Sequence, residues 1–403
     1  MLIERMRFFT TFEMTNENLC DFCASASKTL VVTSFSSPPL IIAFPLFPLE
    51  SMRVFRGLPN PASRTPCALA IGNFDGVHRG HRALLARVRT AADRIGVPAC
   101  VMTFEPHPRE FFAARAAAGD TRQAASMTAP ARIANLRDKL DALADAGIDR
   151  VIVERFNARF ASLSAEHFIE DVLVAGCHAR RVMVGDDFRF GAQRKGGFAM
   201  LKDAGERFGF TVEAIPVVAD TVTGVDGTCV AERVSSSAVR AALAAGDLAR
   251  AERLLGHPYF ISGHVIHGNR LGRTIGFPTA NILPLGQGGT RRTALSGIFV
   301  ARVHGVADTA LPAVASIGMR PTVDDSGRVL LEVHLFDFAR NIYGTRVRVE
   351  FLHKLRDEEK YNDVATLTAA IASDAARARN YFDVSNVAIS SGACATSASD
   401  RIT

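Results

Sequence analysis

From Cys67 to about Leu255 the chain alternates two hydrophobic periods, and that alternation limits its fold more than any other feature. The short β-like runs CALAIGN, PACVMTF, DRVIVERF, RRVMVGD and FTVEAIPVV are interspersed with runs whose apolar residues recur at helical spacing. The helical runs are HRALLARVRTAADRIG, ARIANLRDKLDALADAG and SAEHFIEDVLVAG. Strand, helix, strand repeated in this way predicts a parallel sheet covered on both faces. Ligands of such sheets bind at the carboxyl ends of the strands. Two glycine-bearing segments, GNFDGVHRGH and GDDFRFG, directly follow strand-like runs and so belong on that edge.

After Gly256 the texture changes to short β-rich pieces separated by glycine and proline: YFISGHVIHG, GIFVARVHG, LPAVASIG, VLLEVHLFDF and TRVRVEFLHKL. This spacing predicts a small antiparallel barrel, with DEEKYNDVATLTAAIASDAARARNYF as one helix packed on it. The domains are therefore expected at 52–256 and 257–383, without internal repeats. Glu4, Glu13 and Glu17 interrupt the N-terminus, and PPLIIAFPLFPL is short and broken by prolines. Residues 1–51 thus read as a poorly ordered extension, neither a secretion signal nor a membrane span. The small, polar residues 384–403 read as a flexible tail.

At 403 residues, 48% hydrophobic and 22% charged, the chain has the balance of a globular protein with two or three cores. Six lysines stand against forty-one arginines within a net charge of +6. Guanidinium forks suit phosphates, but a coding bias accounts for the skew equally well. No Lys/Arg-dense run marks a nucleic-acid arm. Seven scattered cysteines fit a reducing, cytoplasmic compartment rather than a disulfide framework. Cys20 and Cys23 lack a second Cys/His pair at finger spacing, so no zinc is expected.

In GNFDGVHRGHRALL, His78 and His81 fall on one face of a helix start, with Gly80 between them. Such a start offers free N–H groups to an anion, and two imidazoles there can hold and neutralise phosphate oxygens. Half of a metal site and a structural pair are the competing readings. In RVSSSAVRAAL, three serines and two arginines stand at another loop-to-helix start. Hydroxyls, amides and Arg240 together suit a polyphosphate, and helix capping explains the serines as well.

Taken in order, GNFDGVHRGH, TFEPHP, VGDDFRFG and VSSSAVR resemble the adenylyltransferase module of bacterial bifunctional riboflavin kinase/FAD synthetases. The second half resembles their riboflavin kinase module, so the resemblance spans roughly residues 65–380. It implies a Rossmann-like HxGH nucleotidyltransferase domain, a small antiparallel flavokinase barrel and a C-terminal helix. It also implies that riboflavin becomes FMN, and that FMN attacks the α-phosphorus of ATP to give FAD and pyrophosphate. On this resemblance Gly72, Phe74 and Gly76 approach ATP, and His78 and His81 contact the reacting phosphates. Ser235, Ser236 and Arg240 hold the β- and γ-phosphates. Asp187 lies near the FMN or adenylyl end, and His107 shapes the flavin pocket.

GHVIHGNRLGRTIGFPTANI is the second dense stretch. Gly268, Gly272 and Gly276 recur every four residues, with Arg270 and Arg273 between them. Amides and guanidinium groups at a barrel rim suit a phosphate flap, although a glycine-rich turn fits the spacing equally well. No GxxxxGK[ST] loop is present. The tetrad Pro278-Thr279-Ala280-Asn281 matches the flavokinase PTAN motif, which implies that Thr279 and Asn281 bind Mg²⁺ and ATP. Glu332, in LLEVHLFDF, matches the glutamate that takes the riboflavin 5′-hydroxyl proton. A glutamate in an apolar strand is costly to bury idle, and burial there would raise its pKa. Arg356 matches a flavin-side position in the family's LRxExKF segment, where Tyr361 departs from the usual Phe. The resemblance names only riboflavin, FMN, ATP and Mg²⁺ as partners, with no nucleic acid or membrane, and leaves the oligomeric state open.

Overall fold

The computed structural model describes residues 52–117, 129–223, 229–268, 272, 275–283, 293–319 and 329–392. The expected N-terminal extension, Arg270, Arg273 and residues 393–403 lie outside them. Strands β1 (Arg53–Arg56), β2 (Cys67–Ile71), β3 (Ala99–Glu105), β4 (Arg150–Arg155), β5 (Ala179–Gly185) and β6 (Thr211–Ile215) form one sheet. Its order is β1-β4-β3-β2-β5-β6, and every pairing is parallel. The five expected strands are present, and β1 is an addition. Its residues RVFR are largely exposed at the sheet edge, so they carry no apolar period to read. The chain reverses direction across the sheet between β2 and β5, which is where a doubly wound sheet opens its ligand crevice.

The helices are α1 (Arg79–Ile95), α2 (Pro108–Ala117), α3 (Leu136–Asp145), α4 (Phe198–Phe208), α5 (Ser236–Ala245) and α6 (Leu248–Leu255). In α1, Leu84, Leu85, Val88, Ala91 and Ala92 are buried, a stripe at helical spacing. Gly96 ends α1 in the left-handed conformation. The run ARIANLRDKLDALADAG is not helical throughout. Residues 131–134 are held out of the helix because the Asp75 carboxylate takes the N–H groups of Ile133 and Ala134. Helix α3 starts only after Asn135, whose side chain accepts from the Asp138 N–H. The run SAEHFIEDVLVAG is helical, but Phe168–Val174 is a π-helix, with Ala175 N–H donating to the Glu170 carbonyl at 2.9 Å. A short hairpin of β7 (Ala219–Thr223) and β8 (Cys229–Arg233), not foreseen in the sequence, leads into α5.

Strands β9 (Phe260–Ile266), β10 (Ala280–Leu283), β11 (Gly297–His304), β12 (Leu311–Met319), β13 (Val329–Leu335) and β14 (Arg346–Arg356) close a barrel in the order β10-β13-β12-β11-β14-β9. The sixth strand, β10, contains Ala280 and Asn281, so half of the PTAN tetrad is strand rather than loop. Phe299, Ala315, Leu331, Val333 and Val349 fill the interior. That core runs on without a break into Val239, Leu243, Leu254 and Leu255 of α5 and α6. The sheet and the barrel accordingly belong to one compact unit, Ser51–Thr403. Helix α7 (Val364–Gly392) packs Ala375 and Ala378 on the outer barrel residues Val300, Val314 and Phe336. It runs to Gly392, which corrects the expected end of ordered structure at residue 383. Among the described residues, no helix is long and apolar enough to cross a membrane.

Candidate active sites

The loop after β2 is strained. Phe74 (φ 48°), Gly76 (φ 81°) and the β-branched Val77 (φ 38°) all take positive φ. Only glycine adopts this region freely, so Phe74 and Val77 need outside support. Asp75 supplies it: its buried carboxylate accepts from Ile133 N–H (3.2 Å), from Ala134 N–H (3.1 Å) and from the Arg240 guanidinium (2.5 Å). Ser236 Oγ donates to the Asp75 carbonyl at 3.1 Å, and Thr103 Oγ1 donates to the Asn73 carbonyl at 3.1 Å. At Gly76 a side chain would also run into Ile133.

This loop delivers two stacked imidazoles. His78 caps α1, its Nδ1 accepting the His81 backbone N–H at 3.3 Å. The His81 ring lies on the His78 ring with centroids 3.7 Å apart and planes 17° apart. Burial, then the Arg240 charge, lower the His78 pKa to about 4, and Asp75 only partly opposes them. Burial, followed by His78, Lys139 and Arg240, holds His81 well below the ordinary imidazole range. Both rings are therefore neutral at neutral pH. They offer hydrogen bonds rather than charge, which corrects the expectation that they neutralise a phosphate.

A cleft of about 280 Å³ opens at the switch point between β2 and β5. Gly72, Phe74, His78 and His81 line it from one side, Asp187 from the β5 turn, and Ser235 and Ser236 from the start of α5. Three segments far apart in sequence thus meet in one crevice. Ser235 caps α5 by accepting from Ala238 N–H. Its O–H and the first free amides of the helix remain able to meet an anion. Arg240 does not line the cleft: its Nε donates to the Ala131 carbonyl at 2.6 Å and its other end holds Asp75. The lining guanidinium is Arg233, paired with Asp187 at 2.9 Å. The sequence contained both arginines, but its spacing favoured the wrong one.

His107 is also set back from the cleft. It is buried at the start of α2, where its Nδ1 accepts from Arg109 N–H and its own N–H donates to Glu110. Burial is the main cause that lowers its pKa to about 4. Behind it, the buried Arg132 is paired with Glu105 (2.7 Å) and Glu110 (2.5 Å), a cluster no local pattern announced. The three neutral histidines give a stability prediction. Unfolded, each takes up a proton near pH 6.5; folded, His78 and His107 do so only near pH 4. The unfolded state binds more protons as pH falls through this window, so stability present above pH 6.5 is lost toward pH 4. Urea unfolding is expected to show a loss of roughly 1.4 kcal/mol per pH unit for each of these two, with His81 adding in the same direction.

In the barrel, antiparallel register sets Asn281 opposite Glu332, and Glu332 opposite Ser316. Their strand neighbours Ile282, Leu331, Val333, Ala315 and Ile317 point into the core, so these three form one outward row. Glu332 is half-buried on the outer face, not enclosed among the apolar side chains of its strand. Burial pushes the Glu358 carboxyl up, and the Glu332 charge adds to that against the Ser316 hydrogen bond. Ser316 Oγ donates to Glu358 at 3.4 Å, placing a second carboxylate beside the row. Asn281 is buried against Gly268, where any side chain would meet its amide. Gly272 accepts from Phe277 N–H at 2.8 Å, and Gly276 occupies an exposed turn. Thr279 lines a cavity of about 610 Å³ with Pro278, Phe338, Asn341 and Tyr343, whereas Asn281 and Glu332 do not line it. Arg356 ties β14 to α7 through Asp374 at 2.7 Å, with its guanidinium over the Tyr361 ring.

Among the described residues, no group of three or more His, Cys, Asp or Glu side chains is arranged to hold a metal. The oxygen donors of Thr279, Asn281 and Glu332 are of the hard kind that Mg²⁺ accepts, so the barrel residues fit that ion chemically. Cys67, Cys100 and Cys177 are buried free thiols, and Cys229 is an exposed one.

A histidine-bearing strained loop at the switch point of a parallel sheet, fused to a closed six-stranded barrel, defines a nucleotidyltransferase joined to a barrel enzyme. The FAD synthetase family model matches residues 60–228, and the riboflavin kinase model matches residues 255–382. The chain belongs to the family of bifunctional riboflavin kinase/FMN adenylyltransferases. It is 44% identical over 339 residues to the bifunctional riboflavin kinase/FMN adenylyltransferase of Escherichia coli K12, covering 84% of this chain and 100% of the relative. It is 47% identical over 330 residues to that of Pseudomonas fluorescens, covering 81% and 97%. A crystal structure described as a macrolide-efflux protein from Streptococcus pneumoniae superposes with a TM-score of 0.60 at 28% identity, covering 80% of this chain and 97% of that one.

Proposed function

We propose that the barrel phosphorylates riboflavin to FMN and that the sheet domain adenylylates FMN to FAD, each with ATP, within domains at 52–256 and 257–383. The observation that carries this reading is the convergence of the His78/His81 loop, the Asp187 turn and the start of α5 on one cleft. In the adenylyl transfer, the FMN phosphate attacks the α-phosphorus and pyrophosphate leaves. No side-chain nucleophile is needed, so the protein's task is to position the phosphates and stabilise charge. His78 and His81 donate neutral hydrogen bonds to the reacting phosphate, and Gly72, Phe74 and Gly76 bring the loop backbone close to ATP. Ser235, Ser236, the α5 amides and Arg233 meet the β- and γ-phosphates. Arg240 acts on the loop by anchoring Asp75. Asp187 lies toward the FMN, and His107 supports the pocket wall from behind.

In the phosphoryl transfer, Glu332 takes the proton from the riboflavin 5′-hydroxyl, and Asn281 and Thr279 orient the ATP phosphates beneath the glycine flap of Gly268, Gly276 and Arg273. Arg356 orders the segment beside the flavin. Mg²⁺, held by Thr279 and Asn281, supplies neutralisation of phosphate charge when bound. The buried free thiols favour a cytoplasmic setting.

Incubation with riboflavin, ATP and Mg²⁺, followed by chromatographic separation of the flavins, tests the reading. FMN followed by FAD is expected. FMN alone would remove the adenylyl-transfer half, and neither product would leave a flavin- or nucleotide-binding module without catalysis.

A further inference from the structure

Lys139, on α3, is 1% exposed. Among the described residues, its ammonium has one hydrogen-bond partner, Thr103 Oγ1 at 3.3 Å, and no carboxylate within ion-pairing distance. Two of its three N–H groups are thus unanswered in the interior, an arrangement that costs stability. Thr103 in turn donates to the Asn73 carbonyl, so Lys139 supports the strained loop from beneath. Two buried acceptors of that loop region also lack partners among the described residues: Asn73 Oδ1 and His81 Nδ1. An under-used cation and two orphaned acceptors therefore belong to the same small region.

The Lys139 charge reaches His81, where it disfavours protonation. The charges acting on Lys139 are Arg132, Asp75, Glu105 and Glu110, while His78 and Arg240 also act on His81. A proton on His81 Nδ1 would be a buried donor with no acceptor, next to a cation. A lone pair there instead suits the ammonium, directly or through one water. His78 has the same polarity for a separate reason, since its Nδ1 already accepts the His81 N–H.

We propose that Lys139 is a positioning residue for adenylyl transfer, holding His81 as the neutral Nε2–H tautomer so that its one proton is presented to the cleft. The inference rests on adenylyl transfer at this cleft and adds a residue that does not touch the substrate. The two stacked rings become a pair of Nε2–H donors, each with its Nδ1 lone pair turned to protein.

Long-range ¹H–¹⁵N correlation spectra of histidine-labelled protein test this first on the parent chain. His81 is expected to show an unprotonated Nδ1 and a protonated Nε2 from pH 5 to 8. In Lys139→Met, the His81 signals are expected to shift toward a tautomer mixture. FAD formation should fall roughly 10- to 100-fold in kcat, the range seen when a group orienting an imidazole is lost, with KM for ATP changed less than about twofold. FMN formation should persist, and the thermal midpoint should hold or rise, because a poorly satisfied buried charge has gone. A merely structural lysine would lower the midpoint and leave the His81 tautomer alone. Lys139→Arg keeps the cation and is expected to restore the parental tautomer and most of the rate. An Nδ1-protonated His81 in the parent, or parental FAD formation in a folded Lys139→Met, overturns the proposal. If Lys139→Met does not fold, the parent spectrum decides. A parent that makes no FAD defeats the adenylyl-transfer reading instead, and the tautomer result distinguishes the two failures.

Discussion

A His81→Ala variant is expected to make FMN from riboflavin at the parental rate and to lose FAD formation by about 10²- to 10³-fold, the effect of removing one preorganised donor from developing charge. The change is unusually clean at this position. The N-cap of α1 uses the His81 backbone N–H, not its ring, so alanine keeps the hydrogen bond to His78 Nδ1. What disappears is one neutral donor lining the cleft and its stack on His78. The anchors of the loop, Asp75 with Ile133, Ala134 and Arg240, are untouched. Flavin chromatography with riboflavin and with FMN as separate substrates measures both halves. Loss of both activities in a folded His81→Ala protein would make the two-site assignment wrong.

Glu332→Gln is expected to give the reciprocal pattern. FMN formation should fall about 10²- to 10⁴-fold, the usual contribution of a positioned general base, while FAD formation from supplied FMN continues. Glutamine keeps the size of the side chain, and Glu332 is half-buried on the outer face, so the barrel interior is not disturbed. Asn281 and Ser316 still flank it across the sheet. The parallel variant Glu358→Gln separates the two carboxylates. If it, rather than Glu332→Gln, stops FMN formation, the base is Glu358.

Much of the architecture was legible because period and punctuation are local. The five parallel strands follow from apolar runs, and α1 from its stripe and its Gly96 cap. The barrel strands β9, β11, β12, β13 and β14 follow from short alternating pieces. Strands β1 and β10 were not legible. The first is an exposed edge, and the second is short and overlaps a segment that reads as a binding motif. The helical reading of residues 131–134 failed because propensity there yields to Asp75, 58 residues away from Ile133. The expectation of cationic histidines failed for a related reason: charge state depends on burial, which spacing does not report.

The sequence by itself determined which chemistry-bearing residues exist and the local frame that carries each. It placed two histidines at a helix start, serines at another, a glutamate on a strand and glycines in a flap. Those outcomes rest on interactions within a few residues. The tertiary structure alone decided which of two nearby arginines faces the cleft, that Asp75 anchors the loop to Arg240 across 165 residues, and that Lys139 lies buried behind His81. Those are matters of long-range closure and desolvation, which become defined only when the sheet, helices and barrel close around a common core.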